Sequence, residues 1–138
     1  MSIMKNSQRR LRRYQQDYDR AKARIQRVGF ICEGSLLERY LPCGNPTCSC
    51  HKDPSRLHGP YNQLSWKEKG KTVSRILSPD VARHYRGWVD NRRSLFAIVE
   101  DMRMISRKAS QIFLAKERCK EGEAREAERK KSRRARKD

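Results

Sequence analysis

The sequence predicts an α+β protein: a small metal-stapled, three-stranded antiparallel β unit flanked by a basic N-terminal helix and a long C-terminal helix. Three observations lead there. Apolar residues recur at spacings of three and four towards both ends of the chain, the period of an amphipathic helix. Between Phe30 and Leu77 that period gives way to short alternating runs broken by Gly and Pro. Within those runs three cysteines and a histidine fall between Cys43 and His58.

Composition limits what such a chain can bury. Of 138 residues, 36% are hydrophobic and 36% charged, and the mean hydropathy is −1.05. A core this small needs a metal, a disulfide or a partner chain to hold it. The net charge of +18 calls for an anionic partner: nucleic acid, acidic protein or anionic membrane surface. No apolar run reaches the ~18 residues of a membrane span, so no segment is expected to cross a membrane, and of the anionic partners a membrane is the one not expected. Met1–Arg13 has no apolar core of an export signal. The expected location is therefore the cytoplasm, where thiols stay reduced. Five cysteines, an odd number, also suit a disulfide framework poorly.

Four segments follow in order. Residues 1–29 form a basic amphipathic helix. Leu11, Tyr14, Tyr18, Ala21, Ile25 and Val28 share one face, nine Lys and Arg residues lie around the rest, and Gly29 is the expected stop. Residues 30–78 form the β unit. Its strands are Ser35–Tyr40, Tyr61–Trp66 and Thr72–Leu77, the last two joined by the polar turn Lys67–Lys71. Leu64 and Trp66 share a face, as do Val73 and Leu77. Residues 79–120 form the long helix, opened by Ser78 as N-cap, Pro79 and Asp80. Its stripe runs Val81, Tyr85, Trp88, Arg92, Leu95, Val99 and Met102, then Ile105, Ala109 and Ile112 after a three-residue slip. Two heptad-like seams suggest a coiled-coil pairing, within the chain or as a homodimer. Residues 121–138 are a basic charged tail: its early part can extend the helix through charge pairs, and its end, Arg129 to Lys137, is expected to be disordered when free.

The cysteine loop carries the chemistry. Cys43, Cys48, Cys50 and His58 supply three thiolates and an imidazole, a common donor set of structural zinc. Gly44 and Pro46 permit the turn that brings Cys43 towards Cys48. Cys48-x-Cys50 is tighter than the usual knuckle. His51 competes as fourth ligand, but adjacent residues rarely reach one ion together, so His58 is preferred. An unliganded thiol cluster and an iron–sulfur centre are the other readings. One zinc per chain with all positions filled by protein would be structural. Cys32 and Cys119 read as isolated thiols, although folding could draw Cys32 towards the cluster, and His84 reads as a surface or packing residue.

Gly34-Ser35-Leu36 with Glu38-Arg39-Tyr40, then Cys43-Gly44, Cys48-x-Cys50 and His58-Gly59-Pro60-Tyr61, followed by Gly70-Lys71-Thr72, resembles an uncharacterised family of small prokaryotic proteins. The resemblance covers about residues 34–95 and leaves the basic ends outside. It implies that Cys43, Cys48, Cys50 and His58 belong to one site. Such proteins are often encoded near transposase genes, which points to mobile DNA. Asn62 departs from the family pattern, where a second aromatic usually follows Tyr61.

No paired carboxylates, Ser-His-Asp set, Walker loop or HExxH pattern is present, so no enzyme is expected. The leading expectation is a nucleic-acid-binding accessory protein, DNA its partner. Candidate contacts are Arg9, Arg10, Arg12 and Arg13 on the first helix, Lys67, Lys69, Lys71 and Arg75 on the hairpin, and Arg133, Arg134 and Arg136 in the tail. Trp66 and Tyr61 could stack on bases, with core packing the favoured reading for both. The alternative is a protein-interaction module, a helical dimer or adaptor docking on a DNA-processing enzyme such as a transposase.

Overall fold

The structure, a computed structural model, describes residues 2–136. Its elements are α1 (Ser2–Arg24), a 3-10 turn at Ile25–Arg27, β1 (Ser35–Leu41), 3-10 turns at Ser49–His51 and Pro54–Arg56, β2 (His58–Glu68), β3 (Lys71–Leu77) and α2 (Pro79–Ala135). The chain divides into two compact units, Arg27–Ala97 and Met1–Gln26 with Ile98–Asp138. Among the described residues no helix is long and apolar enough to cross a membrane.

The first unit is built on an antiparallel sheet of order β1-β2-β3. β2 is longer than its apolar core suggests, because the turn is only two residues, Lys69 and Gly70, with Glu68 paired to Lys71. Both turn residues have positive φ, 48° and 78°. That conformation matches the twist of the flanking strands, and glycine adopts it without cost.

Directly opposed residues of an antiparallel pair share a face, so the register sorts the sheet. Leu36, Glu38, Asn62, Leu64, Trp66, Glu68, Lys71, Val73, Arg75 and Leu77 lie on one side. The start of α2 covers that side: Leu64, Ala82 and Val89 are buried, and the Arg86 guanidinium donates to the Asn62 side-chain oxygen at 3.4 Å. Trp66 is half-buried there as expected, whereas Tyr61, also expected in the core, lies on the other face and is exposed, since its register partner is Arg39. The incoming segment is tied to α2 by the Cys32 N–H donating to the Trp88 carbonyl at 3.2 Å and by Asn91 donating to the Phe30 carbonyl at 2.8 Å. Ser78 caps α2, its hydroxyl accepting from the Val81 N–H at 3.4 Å.

In the second unit α1 and the later part of α2 run antiparallel. Arg24 pairs with Asp101 at 2.9 Å, while Ile3, Met4, Ser7 and Arg10 face Gln111 to Glu123 across one groove. Ala21, Ile98 and Ile112 are its buried side chains. On α2 the seam of this unit passes through Ile98, Met102, Ile105, Ala109 and Ile112. Val99, expected in the seam, is exposed.

The early tail extends the helix as its charge pairs allow, and only the basic end differs from expectation. Residues 121–135 continue α2 as helix, held by exposed local charge pairs such as Lys120–Glu117 and Lys130–Glu126. Lys137 lies outside the described residues. α1 ends slightly early, its last turn tightening to 3-10 before Gly29.

Candidate metal centre

β1 ends at Leu41, which pairs with His58, the first residue of β2. A bulge between Arg39 and Leu41 shifts the register there. Gly59 makes that approach possible: its φ is +140°, and a Cβ would sit 2.7 Å from the Arg39 carbonyl oxygen. The two strands therefore bring Cys43, two residues beyond Leu41, alongside His58.

The loop between them is shaped by its own polar side chains. The Asn45 side-chain oxygen accepts from the Thr47 N–H and hydroxyl at 3.1 and 2.8 Å. Cys48 donates its N–H to the Asn45 carbonyl at 3.1 Å, which turns the chain back towards Cys43. Cys48, extended just ahead of a 3-10 turn, is half-buried and Cys50 within the turn is buried, while Ser49 between them is exposed. Asp53 accepts from the Ser55 N–H and hydroxyl at 3.0 and 2.7 Å. The same two bonds, the side-chain one foremost, hold its carboxyl below the ordinary range.

Four donor atoms converge, from Cys43, Cys48, Cys50 and His58, all within 4.8 Å of one another. The Cys43 and Cys50 sulfurs are 3.6 Å apart and the Cys48 sulfur lies 3.4 Å from His58 Nε2. A tetrahedral zinc with bonds of ~2.3 Å to sulfur and ~2.0 Å to nitrogen would separate its donors by roughly 3.5–3.8 Å. The edges seen here match that size. They are far longer than the ~2.05 Å of a disulfide, and all the cysteines are free thiols. Cys50 is the buried member, 3% exposed, and its sulfur accepts the Cys43 N–H at 3.3 Å. Such backbone bonds orient a thiolate ligand.

The thiols are not equivalent. Hydrogen bonding by the Cys50 backbone N–H, then by His58, Cys50 and Cys43 side chains, pulls Cys48 from its ordinary 9.0 down to about 6. Cys50 is pushed up, chiefly by burial. At neutral pH the cluster thus holds a ready thiolate beside a protonated thiol.

His51 ends the 3-10 turn, exposed and outside the donor group. Cys32 and Cys119 are outside it too. Of the hairpin bases, Lys67 lies on one face of the sheet, Lys71 and Arg75 on the other, and Lys69 in the turn. Lys67, Lys69 and Lys71 gather at the hairpin tip but not on one face, because Lys67 lies opposite Thr72 while Lys71 lies opposite Glu68. Arg9, Arg10, Arg12, Arg13, Arg133, Arg134 and Arg136 are all exposed on helices or, for Arg136, just beyond α2. What the sequence reading missed is Arg39, directly opposite Tyr61; only the bulged register reveals that pairing.

A family model described as a domain of unknown function (DUF6788) matches residues 4–86. The match takes in α1, the whole sheet, the cysteine loop and the first turns of α2. No curated protein and no solved structure matches the chain.

Proposed function

The chain belongs to the uncharacterised DUF6788 family, and from that premise we propose a nucleic-acid-binding accessory protein, DNA its expected partner, whose three cysteines and histidine hold one structural zinc ion. The observation that carries the binding reading is the placement of charge. The chain has 34 Lys and Arg against 16 Asp and Glu, and no charged residue is buried among those described. The excess therefore lies where phosphates can reach it. Zinc is favoured over an iron–sulfur cluster because the donor distances fit a single ion and a histidine completes the set. With every position filled by protein the ion would stabilise the fold and leave no site for catalysis.

The β2–β3 hairpin extends past Ser35, the last β1 residue paired, by the pairs Trp66–Val73, Lys67–Thr72 and Glu68–Lys71. This projecting ribbon of roughly 10 Å ends in exposed Lys67, Lys69 and Lys71, a tip suited to a phosphate backbone. Fluorescence anisotropy with labelled oligonucleotides across a salt series tests the reading. The expected log–log slope is about −4 or steeper. No binding at low salt, or a slope near −1, contradicts it.

The exposed Ile3, Met4, Phe113 and Leu114 on the helical unit favour a second reading, an adaptor that docks on a DNA-processing protein. Charge substitutions there would then abolish partner capture while leaving oligonucleotide affinity unchanged.

A further inference from the structure

The face of the sheet turned away from α2 has no assigned role. Its residues, by register, are the rows Arg39–Tyr61, Leu37–Gln63–Ile76, Ser35–Ser65–Ser74 and Lys67–Thr72. Within its unit this face is open: Leu37 is 52% exposed, Ile76 50% and Tyr61 38%. A half-solvated antiparallel sheet usually carries polar residues outward. Here aliphatic and aromatic side chains stand exposed around a low serine row, where the Ser65 and Ser74 hydroxyls meet at 2.8 Å.

Charge on this face has one sign. The only acids in the three strands, Glu38 and Glu68, both lie on the covered side. Arg39 and Lys67 mark the two ends of the open face. Tyr61 to Lys67 spans roughly 20 Å at ~3.4 Å per residue, room for a few unstacked nucleotides.

We propose that this open face binds single-stranded nucleic acid, with Tyr61 as the stacking platform, Leu37 and Ile76 as apolar base contacts, and Arg39 and Lys67 on the phosphates. The proposal rests on the nucleic-acid reading above and narrows it to a strand class and a surface. An aromatic presented beside cations on a sheet is the arrangement by which exposed bases are held without sequence readout. A duplex hides its base faces and gains nothing from Tyr61. A second copy of the chain is disfavoured as occupant, since two faces of like charge on chains of net charge +18 repel. An acidic peptide would meet the cations but offers no planar bases to stack on the Tyr61 ring.

The test uses the full zinc-loaded chain with labelled oligothymidylate, oligouridylate and a duplex of equal length at one salt concentration. Single strands should bind at least about tenfold more tightly than duplex, and Tyr61→Ala should remove about tenfold of that affinity. Tyr61→Phe should retain it, and Asn62→Ala, next to Tyr61 but on the covered face, should change it little. Because Tyr61→Ala could disturb the adjoining loop, a second readout uses the unaltered chain: photo-crosslinking of an iodouracil-substituted strand should label Tyr61 or its row. The ratio of the two single strands names the sugar, and tight binding of either supports the face. Equal duplex affinity, or crosslinks confined to the helices, would overturn this proposal while leaving nucleic-acid binding intact. No binding to any of the three would remove both. A dimer broken by Leu37→Lys or Ile76→Lys would show that the face is a self-association surface instead.

Discussion

Cys48 and Cys50 stand two residues apart and hold different protonation states, because one receives hydrogen bonds and the other is buried. The sign of the pH dependence follows. Cys48 is depressed from 9.0 to about 6, so its thiolate stabilises the metal-free fold above pH 9 and progressively less from there down through pH 6. Metal binding at neutral pH must expel the Cys50 proton, since the thiolate is the ligand. Titration calorimetry in buffers of different ionisation enthalpy should therefore show protons released on zinc binding, and fewer as pH rises. Gly59 offers a second test at this scale. Alanine there must adopt φ near +140° against the Arg39 carbonyl, so Gly59→Ala should cost on the order of 1–3 kcal/mol in denaturant melts and weaken zinc affinity. The four donors were legible as residue types and spacing. His58 was preferred to His51 because Cys50 and an adjacent residue rarely reach one ion together; the Leu41–His58 pairing that brings it to Cys43 is displayed by no local pattern.

Elements were legible in proportion to how far local chemistry determined them. Ser78-Pro79-Asp80 marks the start of α2 through side-chain and backbone preferences alone, and Gly70 marks the hairpin. The seam of α2 was misplaced by a residue at Val99 because Ile98 and Val99 are both apolar; only packing within the helical unit chooses Ile98. Residues 121–135 lack an apolar stripe, so their helix rests on alternating charge, a weaker signal than periodicity. Two expectations distinguish packing from charge here. Ile112→Ala in the buried seam should destabilise the helical unit by about 2–4 kcal/mol. A double-mutant cycle on Arg24–Asp101, whose side chains are each 54% exposed, should return under about 1 kcal/mol. Removing residues 124–138 should leave the melting temperature nearly unchanged while flattening the salt dependence of oligonucleotide binding, since Arg125, Arg129, Lys130, Lys131, Arg133, Arg134 and Arg136 leave with it.

For the whole molecule, the charge and the metal donors lie in different places. The donors close a sheet unit whose buried side chains are few, Leu64, Ala82, Val89 and Cys50, whereas the helical unit has its own seam at Ala21, Ile98 and Ile112. On the proposed reading, a fold so thinly cored would draw much of its stability from the ion. Chelation should abolish hydrogen-exchange protection across β1, β2 and β3 while helical circular dichroism largely persists. The central claim is that Cys43, Cys48, Cys50 and His58 bind one zinc as a structural clasp, and elemental analysis of purified variants tests it most directly. About one zinc per chain should be found, lost in Cys43→Ser, Cys48→Ser, Cys50→Ser and His58→Ala and retained in His51→Ala. Zinc retained by His58→Ala but lost by His51→Ala, or no metal in the unaltered chain, would contradict it.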